Sequence, residues 1–159
     1  MTLYSSLLGS WDLDVIDHNP DGSRQLGKGE VHFAWVLEGR AIQDVWIVPP
    51  RGAERPGVPG PRNRYGTTLR IYDPRADVWH VNWFNAVTGR TNTLIGRRRG
   101  DQILQEGTDA DGSLIRWTFS AITAESFHWR GEVSSDRGMT WCTATEFLAR
   151  RMGTSPAGS

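Results

Sequence analysis

Residues 29–50, GEVHFAWVLEGRAIQDVWIVPP, decide the fold. Two runs of strand-forming residues flank Glu38-Gly39. A two-residue turn there sets Leu37 opposite Arg40, Trp35 opposite Ile42, Phe33 opposite Asp44 and Val31 opposite Trp46. That register seats one carboxylate, Asp44, among aromatic residues. An unpaired buried carboxylate is costly, so Asp44 must either have a partner or belong to a binding site.

Outward from this hairpin the same grammar repeats. Short runs rich in Val, Ile, Thr, Trp and Phe alternate with Gly, Asp, Asn and Pro clusters, and helical periodicity is scarce. Ten strands are predicted, over 10–16, 28–36, 40–48, 65–72, 78–84, 91–99, 102–108, 113–120, 126–134 and 139–148, after a short helical turn or lid within residues 2–8. The 78–84 strand is expected to pair with 65–72 across a five-residue loop, Asp73 to Asp77. That loop puts Ile71, Leu69 and Thr67 on one face with Trp79, Val81 and Trp83.

Ten strands joined mainly by hairpin-length connections leave two edges, and closure removes them. The predicted fold is therefore all-β, a single antiparallel up-and-down β-barrel of about ten strands over residues 1–151, with a flattened sandwich as the alternative. Residues 152–159 read as a disordered tail. Between the third and fourth strands, residues 51–64 are too rich in Pro and Gly to hold a ladder. The arginines of that loop, Arg51, Arg55, Arg62 and Arg64, either are solvated or meet an anionic ligand.

Composition excludes several function classes. Eighteen basic residues balance eighteen acidic ones, so nothing attracts nucleic acid or an anionic membrane. The single cysteine, Cys142, excludes an internal disulfide and thiolate-cluster metal sites, and its strand context reads as a small core residue. The four histidines have no H-x-H or H-E-x-x-H spacing, so no metal site is expected. No nucleophile elbow, phosphate loop or dinucleotide fingerprint occurs, and no cofactor is expected. Without a basic leader or a membrane-length apolar run, the chain reads as cytoplasmic. Its unusual feature is eight tryptophans, which need a large interior or a pocket to hold them.

Two clusters of polar residues in aromatic strands stand out as site candidates. Asp44 lies with Phe33, Trp35 and Trp46. In the last hairpin, a four-residue loop over 135–138 would pair Glu132 with Trp141, Arg130 with Thr143 and His128 with Thr145, opposite a face carrying Phe127, Trp129, Val133, Cys142 and Ala144. Either face can point inward. With His128, Arg130 and Glu132 inside, the barrel holds a wet pocket fit for acid-base work, with Asp44, His128 and Glu132 as catalytic groups. With the aromatic face inside, it holds an aromatic box whose polar handle is Asp44, with Phe33, Trp35, Trp46, Tyr65, Trp83, Trp117, Trp129 and Arg130 as the ligand-binding set.

The chain resembles the calycin superfamily of lipocalins, fatty-acid-binding proteins and nitrobindin-like barrels. Gly9-Ser10-Trp11 heads the first strand and Arg150 or Arg151 follows the last, as in the lipocalin G-x-W motif with its basic residue packed across the indole. The phrases WVLEGRAIQDVW, YGTTLRIYDP and FHWRGEVSSDRGMTW are similar to uncharacterised actinobacterial, hence bacterial, calycin-like barrels. The resemblance implies a barrel with a ligand-sized cavity and no particular reaction. The histidine-bearing strand of the haem-binding nitrobindin type is absent, as is the paired arginine and tyrosine carboxylate site of the fatty-acid-binding proteins, unless Arg130 serves part of it. Ser134-Ser135-Asp136-Arg137-Gly138-Met139-Thr140-Trp141 matches the Asp-box hairpin found in sialidases, where Asp and Ser tie the loop and Trp packs beneath it.

Three functions fit these observations. The first is binding of a small hydrophobic or aromatic molecule. The second is a metal- and nucleotide-independent cyclase, isomerase or hydratase in secondary metabolism, and the third a homodimeric interaction module.

Overall fold

The computed structural model describes residues 2–51 and 63–153. A 3-10 turn, Ser5–Leu7, precedes ten strands: β1 (Gly9–His18), β2 (Arg24–Val36), β3 (Ala41–Val48), β4 (Arg64–Asp73), β5 (Val78–Asn85), β6 (Thr91–Arg99), β7 (Gln102–Thr108), β8 (Leu114–Ser120), β9 (Ser126–Ser134) and β10 (Cys142–Arg151). Each strand pairs antiparallel with its chain neighbour. β10 then returns to β1, from Trp11 opposite Arg151 to Asp17 opposite Thr145, and the barrel closes. This is the all-β, up-and-down barrel that the strand pattern predicts, rather than a sandwich. Most of the proline-rich loop, including Arg55 and Arg62, and the tail beyond Gly153 lie outside the described residues.

The hairpin of β2 and β3 has the predicted register, with Val31, Phe33 and Trp35 opposite Trp46, Asp44 and Ile42. Its turn is longer than two residues. The last pair is Val36 with Ala41, and Leu37, Glu38 and Gly39 all take positive φ. A four-residue turn on the same centre keeps every facing pair.

Two other registers differ from expectation. Asp73 pairs with Val78, so the β4–β5 loop has four residues rather than five. This one-residue change moves Thr68, Arg70 and Tyr72, not Ile71 and Leu69, onto the face of Trp79, Val81 and Trp83. The cause is local: the Asp73 carboxylate accepts from the Arg75 backbone N–H at 2.9 Å, tightening the turn at its first residue. In the last hairpin, Glu132 pairs with Thr143, Arg130 with Glu146 and His128 with Leu148, with a bulge between Thr143 and Thr145. The Asp-box loop takes up the difference. Asp136 accepts from the Thr140 backbone N–H, and Ser134 from that of Gly138, each at 2.8 Å. Cys142 is exposed at the edge of this loop rather than in the core, because the longer connection delays β10's entry into the wall.

The base is the end where β1 starts and β10 finishes. There the 3-10 turn plugs the barrel with Tyr4 and Leu7, both fully buried. Trp11 donates its indole N–H to the Leu7 carbonyl at 2.8 Å, and the Arg151 guanidinium lies 4.1 Å above its ring. Arg151, not Arg150, is therefore the basic residue over the indole. It also donates to the Leu8 and Ala124 carbonyls. Gly9 makes room for it, since a Cβ there would lie 2.4 Å from Arg151 Nη1. Phe127 packs edge-on to Trp11, with centroids 4.8 Å apart. This end is closed by packed side chains.

Candidate functional site

The other half of the barrel encloses a cavity of about 220 Å³. Its walls are aromatic: Trp46 from β3, Trp83 from β5, Trp117 from β8, Trp129 from β9 and Phe147 from β10. Alternation aims each of them inward, and Gly131 lets Trp129 lie flat against the wall. A Cβ at Gly131 would fall 2.7 Å from the Trp129 ring. Trp129 stands 5.8 Å from Trp117, 6.1 Å from Trp46 and 4.8 Å from Phe147, in tilted rather than edge-on contacts. Among the described residues, none of the four cavity indoles donates a hydrogen bond from its N–H.

The floor is a buried polar network. Arg70 lines the cavity, with its side chain 2% exposed and that of Asp44 at 0%. Arg70 Nη1 donates to Asp44 Oδ2 at 2.6 Å and Nε to Gln105 Oε1 at 3.0 Å. The Thr68 backbone N–H supplies Asp44 Oδ1 at 2.8 Å. Tyr4 donates its hydroxyl to Gln105 Oε1 at 3.0 Å, and burial pushes its phenol up to about 12 against the pull of Arg70. The guanidinium also sits 4.9 Å from the Tyr4 ring and 5.7 Å from the Phe33 and Phe119 rings. Arg70 Nη2 makes no hydrogen bond to an acceptor among the described residues.

The rim carries two further ion pairs. Arg64 pairs with Asp17, and both meet the Thr145 hydroxyl at 2.9 Å. Arg90 pairs with Asp109, which also accepts from the Asn92 amide at 3.2 Å.

The residues singled out in the sequence fall into four groups. Trp46, Trp83, Trp117 and Trp129 come together around the cavity. Asp44 and Phe33 are buried beneath it, facing each other across β2 and β3 and both next to the Arg70 guanidinium. Trp35 sits on the inner row but at the base end of β2, 36% exposed, while Tyr65 faces outward from β4. Because Trp129 and Phe127 face inward, alternation puts His128, Arg130 and Glu132 on the outer wall. There, His128 and His18 hold the two oxygens of Glu146 at 2.9 and 2.7 Å. Partial burial works to raise the Glu146 carboxyl, but these two hydrogen bonds outweigh it and hold it below its usual value. Arg130 lies 4.0 Å from Glu132. Among the described residues no three His, Cys, Asp or Glu side chains group as metal ligands, and no helix is long and apolar enough to cross a membrane.

Sequence reasoning missed Arg70 as the partner of Asp44, and with it Gln105 and the rim pairs. One signal was available for Arg70. Asp73-Pro74 starts an Asx turn, and counting the loop from that turn reverses the faces of β4.

No family model matches the chain, and no curated protein does. Solved structures do match. The S-type phycobiliprotein lyase CPES from Guillardia theta superposes with a TM-score of 0.60 over 96% of this chain and 92% of that chain, at 10% identity. At that identity the likeness is one of fold: the two chains are similar as closed calycin-like barrels.

Proposed function

We propose that this chain is a calycin-superfamily barrel that binds a small aromatic molecule in its upper cavity. The observation that carries the reading is the cavity itself, four tryptophans around about 220 Å³ with a buried arginine at the floor. An engineered cavity of about 150 Å³ accommodates benzene, so this volume suits one or two fused rings. Tilted indoles supply stacking faces worth about 0.5–1.5 kcal/mol each beyond their buried area. The likeness to a phycobiliprotein lyase supports a barrel that can house a ligand. Titrating tryptophan emission with one- and two-ring aromatics tests it. A saturable one-to-one change, lost in Trp117→Ala, is expected. No response to any compound would refute it.

A second reading, a homodimer, has one observation behind it. Val45, Thr67 and Phe84 are neighbours in one row across the outer wall, and Val45, Phe84 and nearby Tyr65 are 41%, 48% and 40% exposed. Sedimentation that shows only monomer at high concentration would remove it.

A further inference from the structure

Among the described residues, the cavity carries unused hydrogen-bond donors and no net charge. Its three cations each hold a carboxylate: Arg70 with Asp44, Arg64 with Asp17 and Arg90 with Asp109. Asp44 and Gln105 take Nη1 and Nε of Arg70 on the side away from the cavity, because Arg70 lines it and neither partner does. Nη2 is left with two N–H groups and no hydrogen bond to an acceptor among the described residues, on a residue that lines the cavity and whose side chain is only 2% exposed. The orientation of Gln105 is forced, since Arg70 Nε can only donate. Its Oε1 must therefore face the arginine, and its own amide nitrogen is a buried donor without a partner. The four cavity indoles likewise donate no N–H hydrogen bond among the described residues.

From these groups we infer that the ligand is a neutral one- or two-ring aromatic compound bearing a carbonyl-type acceptor, which enters acceptor first and takes the Nη2 hydrogen bonds of Arg70. This rests on the cavity being the binding site proposed above. A bound carboxylate would add a charge to a site whose cations are already matched, and burying an unmatched anion among indoles is costly. A ring without an acceptor would stack but leave the floor donors unanswered. Thr68 and Asn92 also line the cavity and each carries an acceptor oxygen, so a donor elsewhere on the ligand is tolerated.

Calorimetric titration of the wild-type protein with three two-ring probes tests the inference: coumarin, naphthalene and coumarin-3-carboxylate. Coumarin should bind about tenfold more tightly than naphthalene, the difference expected of one hydrogen bond to a charged donor, and about tenfold more tightly than the carboxylate. Naphthalene equal to coumarin would overturn the acceptor requirement while leaving the aromatic pocket standing. A preference for the carboxylate would overturn neutrality. Failure of all three to bind would overturn both this inference and the proposed site. Arg70→Lys keeps a cation for Asp44 but lacks the second nitrogen. It should cut coumarin affinity about tenfold and leave naphthalene unchanged, whereas an equal loss for both probes would reduce Arg70 to a structural part. If that variant does not fold, the three-probe series on the wild type still decides.

Discussion

At the base of the barrel, Trp11 has its indole N–H on a carbonyl, Phe127 edge-on to it and Arg151 stacked 4.1 Å above its ring. In the upper half, Trp46, Trp83, Trp117 and Trp129 meet at tilted angles around open volume, and none of their N–H groups donates a hydrogen bond among the described residues. Both ends use tryptophan and arginine. The difference is satisfaction: at the base the Trp11 N–H and the Nε and Nη1 of Arg151 all have acceptors, while the cavity leaves donors and volume open. An interior that is only structural gains nothing from unfilled space, since each void forfeits dispersion contacts. The contrast therefore separates a part that holds the barrel together from a part that is shaped for something else.

The sharpest way to break this contrast is to truncate one tryptophan from each end. Trp11→Ala should cost about 3–5 kcal/mol in urea unfolding, as a fully buried and hydrogen-bonded indole. Trp117→Ala, which borders existing volume, should cost less than about 2 kcal/mol and weaken aromatic binding about tenfold. Equal stability losses would mean that the two regions are packed alike.

The floor between the two regions comes next. Asp44→Leu strands Arg70 with no counter-charge in a buried setting and should cost about 3–5 kcal/mol. Adding Arg70→Met to it should recover most of that loss, because the pair as a whole is worth far less than the penalty for breaking it. Thermal unfolding of the two variants side by side reads the difference. A double variant as unstable as the single would place the cost in packing and not in charge.

How far the site could be read from sequence follows from what set each register. β2 and β3 were legible because their turn centre alone aligns Phe33 with Asp44, whatever the turn's exact length. β4 was not, because its face depends on whether a loop holds four or five residues, and a slip of one moved Arg70 from the outer wall to the cavity floor. The last hairpin shows the same sensitivity. The strand pattern marks both faces of β9, but which one is inward is set by the contact of Trp129 with Trp46 of β3 across the barrel. Contacts between strands distant in sequence have no local signal. Asp17 with Arg64, or Tyr4 with Gln105, therefore emerges only on closure.

A smaller effect is expected from Gly131→Ala. The added methyl would fall 2.7 Å from the Trp129 ring and push it into the cavity. Stability should drop by about 1–3 kcal/mol, and binding of two-ring compounds should fall more than that of single-ring ones. Unchanged selectivity by ring size would show that Trp129 does not define the cavity's width.

The smallest effect lies at the rim of the last hairpin. Asp136 is held down to about 2, chiefly by the hydrogen bond from the Thr140 side chain and with help from the Thr140 backbone and Ser134. A carboxyl depressed on folding contributes stability that is present above its unfolded value, near 3.8, and lost as pH falls toward about 2. The stability gap between wild type and Asp136→Asn should thus be constant above about pH 5 and narrow below pH 4. A gap independent of pH down to pH 2 would contradict that role, and ligand affinity near pH 7 should be the same in both proteins.

The central claim is that the upper cavity, and not the plugged base, is a binding site for small aromatic molecules. Indole N–H resonances of the uniformly 15N-labelled protein test it most directly, because each of the eight tryptophans reports separately. On titration with coumarin, the signals of Trp46, Trp83, Trp117 and Trp129 should shift together and saturate, while those of Trp11, Trp79, Trp35 and Trp141 stay in place. Shifts at Trp11 or at the outer indoles, with the cavity four unmoved, would contradict it.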